Sequence, residues 1–99
     1  MPGSTPTLTQ LRLPAVVTHA RATQCAKALR DALRLSRGAP VVQVDASALQ
    51  QFDSSVLAAL LDCRRAVVSM GWEFKVAALP ARLRQLATLY GVAQLLPAA

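Results

Sequence analysis

The sequence predicts an α/β fold in which a small, mostly parallel sheet packs against helices. Short apolar segments that suit strands alternate with amphipathic segments that suit helices along the chain. The connections between the strands are long enough to cross over and make neighbouring strands parallel. A length of 99 residues with 54% hydrophobic content suits a single core. We therefore expect one domain over residues 8–97, preceded by a flexible lead over residues 1–7.

The first strand and the first helix are expected in the N-terminal third of the chain. Residues 8–17 are rich in Leu and Val and alternate in part, which predicts a strand, and Pro14 marks an edge position or a bulge in it. Thr18 is placed to cap the following helix. Gly38 and Pro40 are expected to end that helix. Its apolar residues recur at helical spacing: Ala22, Cys25, Ala26, Leu29, Ala32 and Leu33.

A short apolar strand and a second helix follow. Residues 41–44 are apolar apart from Gln43, and we expect a central strand there that is covered on both faces. Asp53 or Ser54 is expected to cap the second helix. That helix runs to about Met70, because Gly71 is a typical C-terminal stop.

The C-terminal third predicts a third strand and a third helix. Residues 72–78 alternate between large apolar and polar side chains, which is typical of a strand. Pro80 lies near the first position of the last helix, and Gly91 ends it. Residues 92–96 are expected to form a short terminal strand, and Ala98 and Ala99 a frayed tail. The inward stripe of the last helix is predicted to consist of Leu79, Leu83, Leu86, Ala87 and Tyr90.

The net charge of +6 does not by itself predict a nucleic-acid-binding protein. Aromatic residues make up only 4% of the chain, and no helical DNA-reading motif is present. An acidic protein partner or a membrane-proximal location fits the charge equally well. Several of the basic residues are predicted to form the solvated face of the first helix: Arg21, Lys27, Arg30, Arg34 and Arg37.

The composition also argues against metal, disulfide and membrane-spanning chemistry. Cys25 and Cys63 show no metal-ligand spacing and are expected to be buried free thiols, while the single His19 is expected to be structural. We therefore expect no metal and no cofactor. No apolar run approaches the ~20 residues needed to span a bilayer, and no signal peptide is evident. The sequence predicts a soluble, cytoplasmic protein.

The strongest concentration of polar residues follows the middle strand. Asp53, Ser54 and Ser55 stand at a predicted helix start, where unpaired N–H groups favour caps and polar partners. Asp53 can act as an ordinary cap that accepts the N–H of Ser55 or Val56. Catalysis is not expected, because a serine nucleophile needs a nearby base and His19 is the only histidine. Asp45 is expected to be a turn residue at the end of the strand.

This part of the chain resembles the STAS domain of anti-sigma factor antagonists and sulfate-transporter tails. The resemblance rests on Val42-Gln43-Val44-Asp45, a short gap, and then Phe52-Asp53-Ser54-Ser55 with Leu57. A second segment, from Leu83 to Val92 with the closing Leu95-Leu96-Pro97, is similar to the end of MlaB-type proteins. Those are the STAS subunits of the bacterial Mla phospholipid-transport ABC system. The resemblance implies a STAS-type sheet packed against helices.

The resemblance to MlaB-type proteins implies a non-enzymatic adaptor that binds and stabilises the ATPase of an intermembrane phospholipid-transport ABC complex. Such an adaptor serves outer-membrane lipid asymmetry and lies at the inner face of the inner membrane through its partner, without inserting into the membrane. In that subfamily the hydroxyl residue after the cap aspartate contacts the ATPase, and Ser54 holds that place. The expected partner-binding residues are Asp53, Ser54, Ser55, Val56, Arg82, Gln85 and Leu89, the last as an exposed leucine off the inward stripe.

The resemblance to anti-sigma factor antagonists implies a different function. In those proteins a partner serine kinase phosphorylates the second hydroxyl residue of the turn, which Ser55 matches. The partners would then be an anti-sigma factor and a kinase. Antagonists usually carry glycine where this chain has Val56.

Overall fold

The computed structural model describes residues 8–35 and 40–99, and it has the predicted α/β architecture. It contains five strands and three α-helices, and two short 3₁₀ helices cover His19–Arg21 and Ala93–Leu95. The predicted lead over residues 1–7 and the predicted helix stop at Gly38 lie outside the described residues. The elements are β1 (Leu8–Arg12), β2 (Val16–Val17), α1 (Ala22–Leu35), β3 (Val41–Asp45), β4 (Gln51–Phe52), α2 (Ser55–Ser69), β5 (Glu73–Ala77) and α3 (Ala81–Leu89).

The main sheet is fully parallel and has the order β1-β3-β5. The single strand expected over residues 8–17 is divided at Pro14 into β1 and β2, and β2 pairs with β4 in a second, two-stranded parallel sheet. Proline lacks the N–H that a ladder requires, which accounts for the break. The crossover from β1 to β3 contains α1, and the crossover from β3 to β5 contains α2.

Among residues 8–35 and 40–99, the side chains of β3 are fully buried on only one face of the main sheet, which corrects the expectation that both faces are covered. Val42 and Val44 are fully buried, as are their register partners on β5, while Gln43 and Lys75 on the opposite face are partly exposed. The alternation follows from the period of two along a strand. The helices α1 and α2 pack beside each other and contact β1 and β5, respectively.

The core lies between that covered face and the helices. Cys25, Leu29 and Leu33 of α1 are buried, as the apolar stripe predicts. Cys63 is fully buried in α2, and both cysteines are free thiols, as expected. Thr18 precedes the first 3₁₀ helix but makes no side-chain cap hydrogen bond, contrary to expectation.

The C-terminal segment departs most from the sequence-based expectation. Tyr90 is 57% exposed and does not belong to the inward stripe of α3. Residues 92–96 form a 3₁₀ turn rather than a strand. The tail is not frayed, because Val76 donates its N–H to the Pro97 carbonyl at 2.9 Å and accepts that of Ala99 at 3.1 Å. These bonds use the open edge of β5.

Parallel topology places two helix starts at the same edge of the sheet. β3 and β5 both end at the carboxyl edge, and α2 and α3 begin beyond it. The loop after β3 is fixed by a backbone bond from Leu49 to the Ala46 carbonyl at 3.1 Å. Gly71 and Gly91, with φ of +78° and +75°, end α2 and α3 as the sequence predicts, since glycine adopts the left-handed conformation without a Cβ penalty.

Candidate functional site

Asp53 fixes the start of α2 through three hydrogen bonds. Its Oδ1 accepts the backbone N–H of Ser55 at 2.9 Å and also the Ser55 hydroxyl. Its Oδ2 accepts the backbone N–H of His19 at 2.9 Å, from the turn that precedes α1. One carboxylate therefore joins the starts of two helices. The cap bond to Ser55 is the one that the sequence predicts.

These donors lower the pKa of the Asp53 carboxyl below its ordinary value. The hydroxyl of Ser55 is the largest cause, followed by the N–H groups of Ser55 and His19. Hydrogen bonds to the charged form favour ionisation, so the carboxylate is negative at neutral pH. His19 takes part through its backbone, which agrees with a structural role. The three hydrogen bonds tie the turn to the starts of both helices.

Ser54 and Ser55 have different surroundings although they are neighbours. Ser54 is exposed, and its hydroxyl makes no hydrogen bond with any of the residues that the structure describes. Ser55 is half-buried, and its hydroxyl donates to Asp53. The Ser54 hydroxyl can therefore bond to a partner without breaking an internal hydrogen bond. The Ser55 hydroxyl must first break its hydrogen bond to Asp53.

Val56 does not belong to the exposed surface, which corrects the predicted set of contact residues. Its side chain is 0% exposed and lies in the core with Leu57 and Leu60. The helix turns by about 100° per residue, so the residue two positions after exposed Ser54 faces the sheet. A partner cannot touch this side chain while α2 stays folded. Val56 instead anchors the first turn of α2.

The outer face of α3 presents the remaining predicted contact residues. Arg82, Gln85 and Leu89 are exposed, and their spacing of three and four residues puts them on one stripe. Leu89 is 75% exposed, as expected for a residue off the inward stripe. Arg82 lies in the first turn of α3, at the carboxyl edge where α2 also begins. Leu89 lies ~10 Å further along the helix.

Two further features of the carboxyl edge surround the site. Asp45 accepts the N–H of Ser47 at 2.9 Å, which lowers the pKa of its carboxyl, with a smaller effect from the charge of Arg12. Asp45 is therefore the turn residue that the sequence predicts. Ala78 has a φ of +58°, a conformation that non-glycine residues rarely adopt. No sequence signal marks this alanine, because glycine or asparagine is the usual indicator of such a turn.

Neither a metal site nor a membrane-spanning helix is found among the described residues. Residues 8–35 and 40–99 contain no group of three or more His, Cys, Asp or Glu side chains that could hold a metal ion. In the same ranges, no helix combines the length and the apolar character needed to cross a bilayer. What the site offers is a rigid turn with an exposed hydroxyl and an exposed helix face. Such a surface suits recognition by another protein.

Comparison with known proteins identifies the family. No curated protein matches the chain closely enough to count as a relative. A family model described as "Mlab, STAS domain" matches residues 2–97, nearly the whole chain. The parallel sheet packed against three helices agrees with that match. STAS domains are generally binding and regulatory modules, which fits the site. The chain therefore belongs to this family of STAS-domain proteins.

Proposed function

We propose that this protein is a non-enzymatic adaptor that binds the ATPase subunit of a phospholipid-transport ABC complex. The proposed contact surface consists of Asp53, Ser54, Ser55, Arg82, Gln85 and Leu89. The observation that carries the proposal is the exposed Ser54, whose hydroxyl makes no hydrogen bond with the described residues and stands on a turn fixed by Asp53. A rigid surface loses little conformational entropy on binding, so it suits a stable protein contact. The match to the family model described as "Mlab, STAS domain" supports the choice of partner.

The adaptor would act by mass action rather than by chemistry. The sequence contains no glycine-rich phosphate-binding loop, so ATP hydrolysis belongs to the partner. Binding to the folded ATPase, and not to its unfolded chain, stabilises the folded state, by about 2.7 kcal/mol when the free adaptor is at 100 times its Kd. Through this partner the protein would lie at the inner face of the inner membrane.

The alternative function is an anti-sigma factor antagonist that is switched by phosphorylation of Ser55. Ser55, which matches the phosphorylated residue, donates its hydroxyl to the Asp53 carboxylate. A phosphoryl group on Ser55 carries about −1.5 to −2 charges and would stand next to that carboxylate. Repulsion between them would oppose the modification unless the turn reorganises. The same Asp-Ser-Ser turn carries the resemblance to the phosphorylated antagonists, and a helix start favours anions, so this contact does not separate the two functions.

A pair of variants with the same change in charge tests the proposal. Ser54→Arg places a long side chain in the centre of the proposed surface, whereas Ser69→Arg adds the same side chain to the exposed far end of the same helix. We expect Ser54→Arg to weaken binding to the ATPase by at least ~30-fold, the size of a hot-spot loss, and Ser69→Arg to leave it unchanged. Isothermal titration with the purified ATPase measures both.

The titration can reject the adaptor surface, and a separate phosphorylation assay tests the alternative function. Equal binding by both variants and the natural chain would reject the Ser54 surface. Incubation with the serine kinase that is encoded closest to this gene, followed by mass spectrometry, tests Ser55 directly. Stoichiometric phosphate on Ser55 would establish the switch in place of the adaptor, while an unmodified Ser55 removes that alternative.

A further inference from the structure

An apolar groove runs along the free edge of β1, away from the residues used above. It has a volume of about 790 Å³ and lies between the β1–β2 segment and α1. Its wall on the strand side is unbroken from residue 10 to residue 16, and its wall on the helix side includes Cys25, Ala28, Leu29 and Ala32. A run of consecutive residues along one wall means that the main chain itself borders the groove.

The main chain at this edge has hydrogen-bonding groups that the sheet does not use. Leu13 donates its N–H to the Asp45 carbonyl at 2.9 Å, so its main-chain polar groups point toward β3. Because these directions alternate along a parallel ladder, Leu11 shares that orientation, and the groups of Gln10 and Arg12 point outward. Within the described residues β1 pairs on one side only. An unpaired edge of this kind accepts an additional strand.

The side chains of the groove favour a particular kind of strand. Ala28 and Ala32 are small, so they leave room on the α1 wall for apolar side chains at alternate positions of an added strand. The charged residues among those that line the groove are Arg12 and Arg21, with no Asp or Glu among them. Asp45, the β3 neighbour of Arg12, does not line the groove. Positive charge without negative charge favours an acidic occupant.

A second copy of the chain suits this edge less well. Each copy carries a net charge of +6, so pairing two β1 edges brings like charges together.

The groove also reaches Arg21, which lies in the same short 3₁₀ helix as His19, the residue bonded to Asp53. A partner near the start of α2 therefore has a continuous path to the groove.

We propose that the β1 edge and its groove bind an extended acidic segment of a partner protein as an added strand. Apolar side chains of that segment would pack on Ala28 and Ala32, and acidic ones would approach Arg12 and Arg21. This contact does not depend on the ATPase or on Ser54. It would add a second, separate attachment point to the adaptor.

The test uses the isolated natural chain and a labelled peptide of about seven residues, which matches the length of the strand-side wall. The probe alternates valine and glutamate, and a control peptide alternates valine and lysine. Fluorescence anisotropy should show saturable binding of the glutamate peptide and at least tenfold weaker binding of the lysine peptide. Bound peptide should also slow alkylation of Cys25, which lines the groove.

Two variants and a matched control locate the binding. Gln10→Pro removes an outward N–H, a change that edge strands tolerate, and should weaken peptide binding at least tenfold. Ala28→Trp fills the groove and should do the same. Ala58→Trp adds the same bulk at an exposed position of α2 that does not line the groove, and should bind like the natural chain.

Each contrary result overturns the proposal. Undetectable binding of the glutamate peptide, equal binding of the lysine peptide, or unchanged binding by both Gln10→Pro and Ala28→Trp would reject it. Sedimentation at high protein concentration tests the other occupant. A dimer that Gln10→Pro abolishes would show that the edge belongs to a second copy, and the partner-strand proposal would fall. Failure of any of these tests leaves the Ser54 proposal unaffected.

Discussion

Val56→Ala tests how α2 is oriented at the candidate site. Val56 is 0% exposed in the first turn of α2, directly below the exposed turn that begins at Ser54. The substitution removes two buried methyl groups at ~0.8 kcal/mol each and leaves a small cavity. We therefore expect the free energy of unfolding to fall by about 1.5–3 kcal/mol. For a domain of this size, a loss of 2 kcal/mol lowers Tm by about 8–16 °C.

Urea unfolding followed by the fluorescence of Trp72 measures this loss. Ala58→Ser is the matched control, because Ala58 lies two residues after Val56 on the same helix and is exposed. The control should change the free energy of unfolding by less than ~0.5 kcal/mol. A loss below ~0.5 kcal/mol for Val56→Ala, or a larger loss for the control, would mean that the first turn of α2 faces another way. The surface assigned to Ser54 would then be wrong.

Three further predictions concern the carboxyl edge and the thiols. The folded-state pKa of Asp53 lies below its ordinary value, so its carboxylate stabilises the fold at neutral pH and that stabilisation is lost as pH falls through the folded-state pKa. Asp53→Asn should therefore lower the urea midpoint at pH 7 and flatten its decline below pH ~4. A pH profile identical to that of the natural chain would contradict the three hydrogen bonds. Ala78→Gly should raise the free energy of unfolding by about 0.5–1 kcal/mol, because alanine in the left-handed backbone conformation costs more than glycine's added freedom in the unfolded chain. A urea titration that shows a lower free energy of unfolding would contradict the φ of +58°. Burial raises the pKa of Cys63 to about 11, so a thiol reagent at pH 8 should modify Cys25 first and Cys63 only on unfolding. Mass spectrometry measures the order, and modification of Cys63 before Cys25 would contradict the packing of the core.

Local chemistry made the fold largely predictable from the sequence. The apolar stripe of α1, the alternation in β5 and the glycine stops at Gly71 and Gly91 each depend on neighbouring residues, and the structure confirms them. The errors concern tertiary context. The composition of β3 did not reveal that, among the described residues, its side chains are fully buried on one face only, and nothing local indicated that the tail pairs with Val76.

The candidate site was predictable in part for the same reason. The cap bond from Ser55 to Asp53 is local, so the sequence predicts it. The bond from His19 to the same carboxylate spans 34 positions and depends on the packing of two helix starts. The burial of Val56 depends on the rotation of α2 relative to the sheet, which an Asp-Ser-Ser motif does not define.

Hydrogen exchange of the complex with the ATPase is the most direct test of the adaptor surface. Backbone amides near residues 54–57 and along the outer face of α3, from Arg82 to Leu89, should exchange more slowly in the complex than in the free chain. Amides at the far end of α2, near Ser69, should be unchanged. Protection confined to other surfaces, with the first turn of α2 and the outer face of α3 exchanging as in the free chain, would contradict the proposed function.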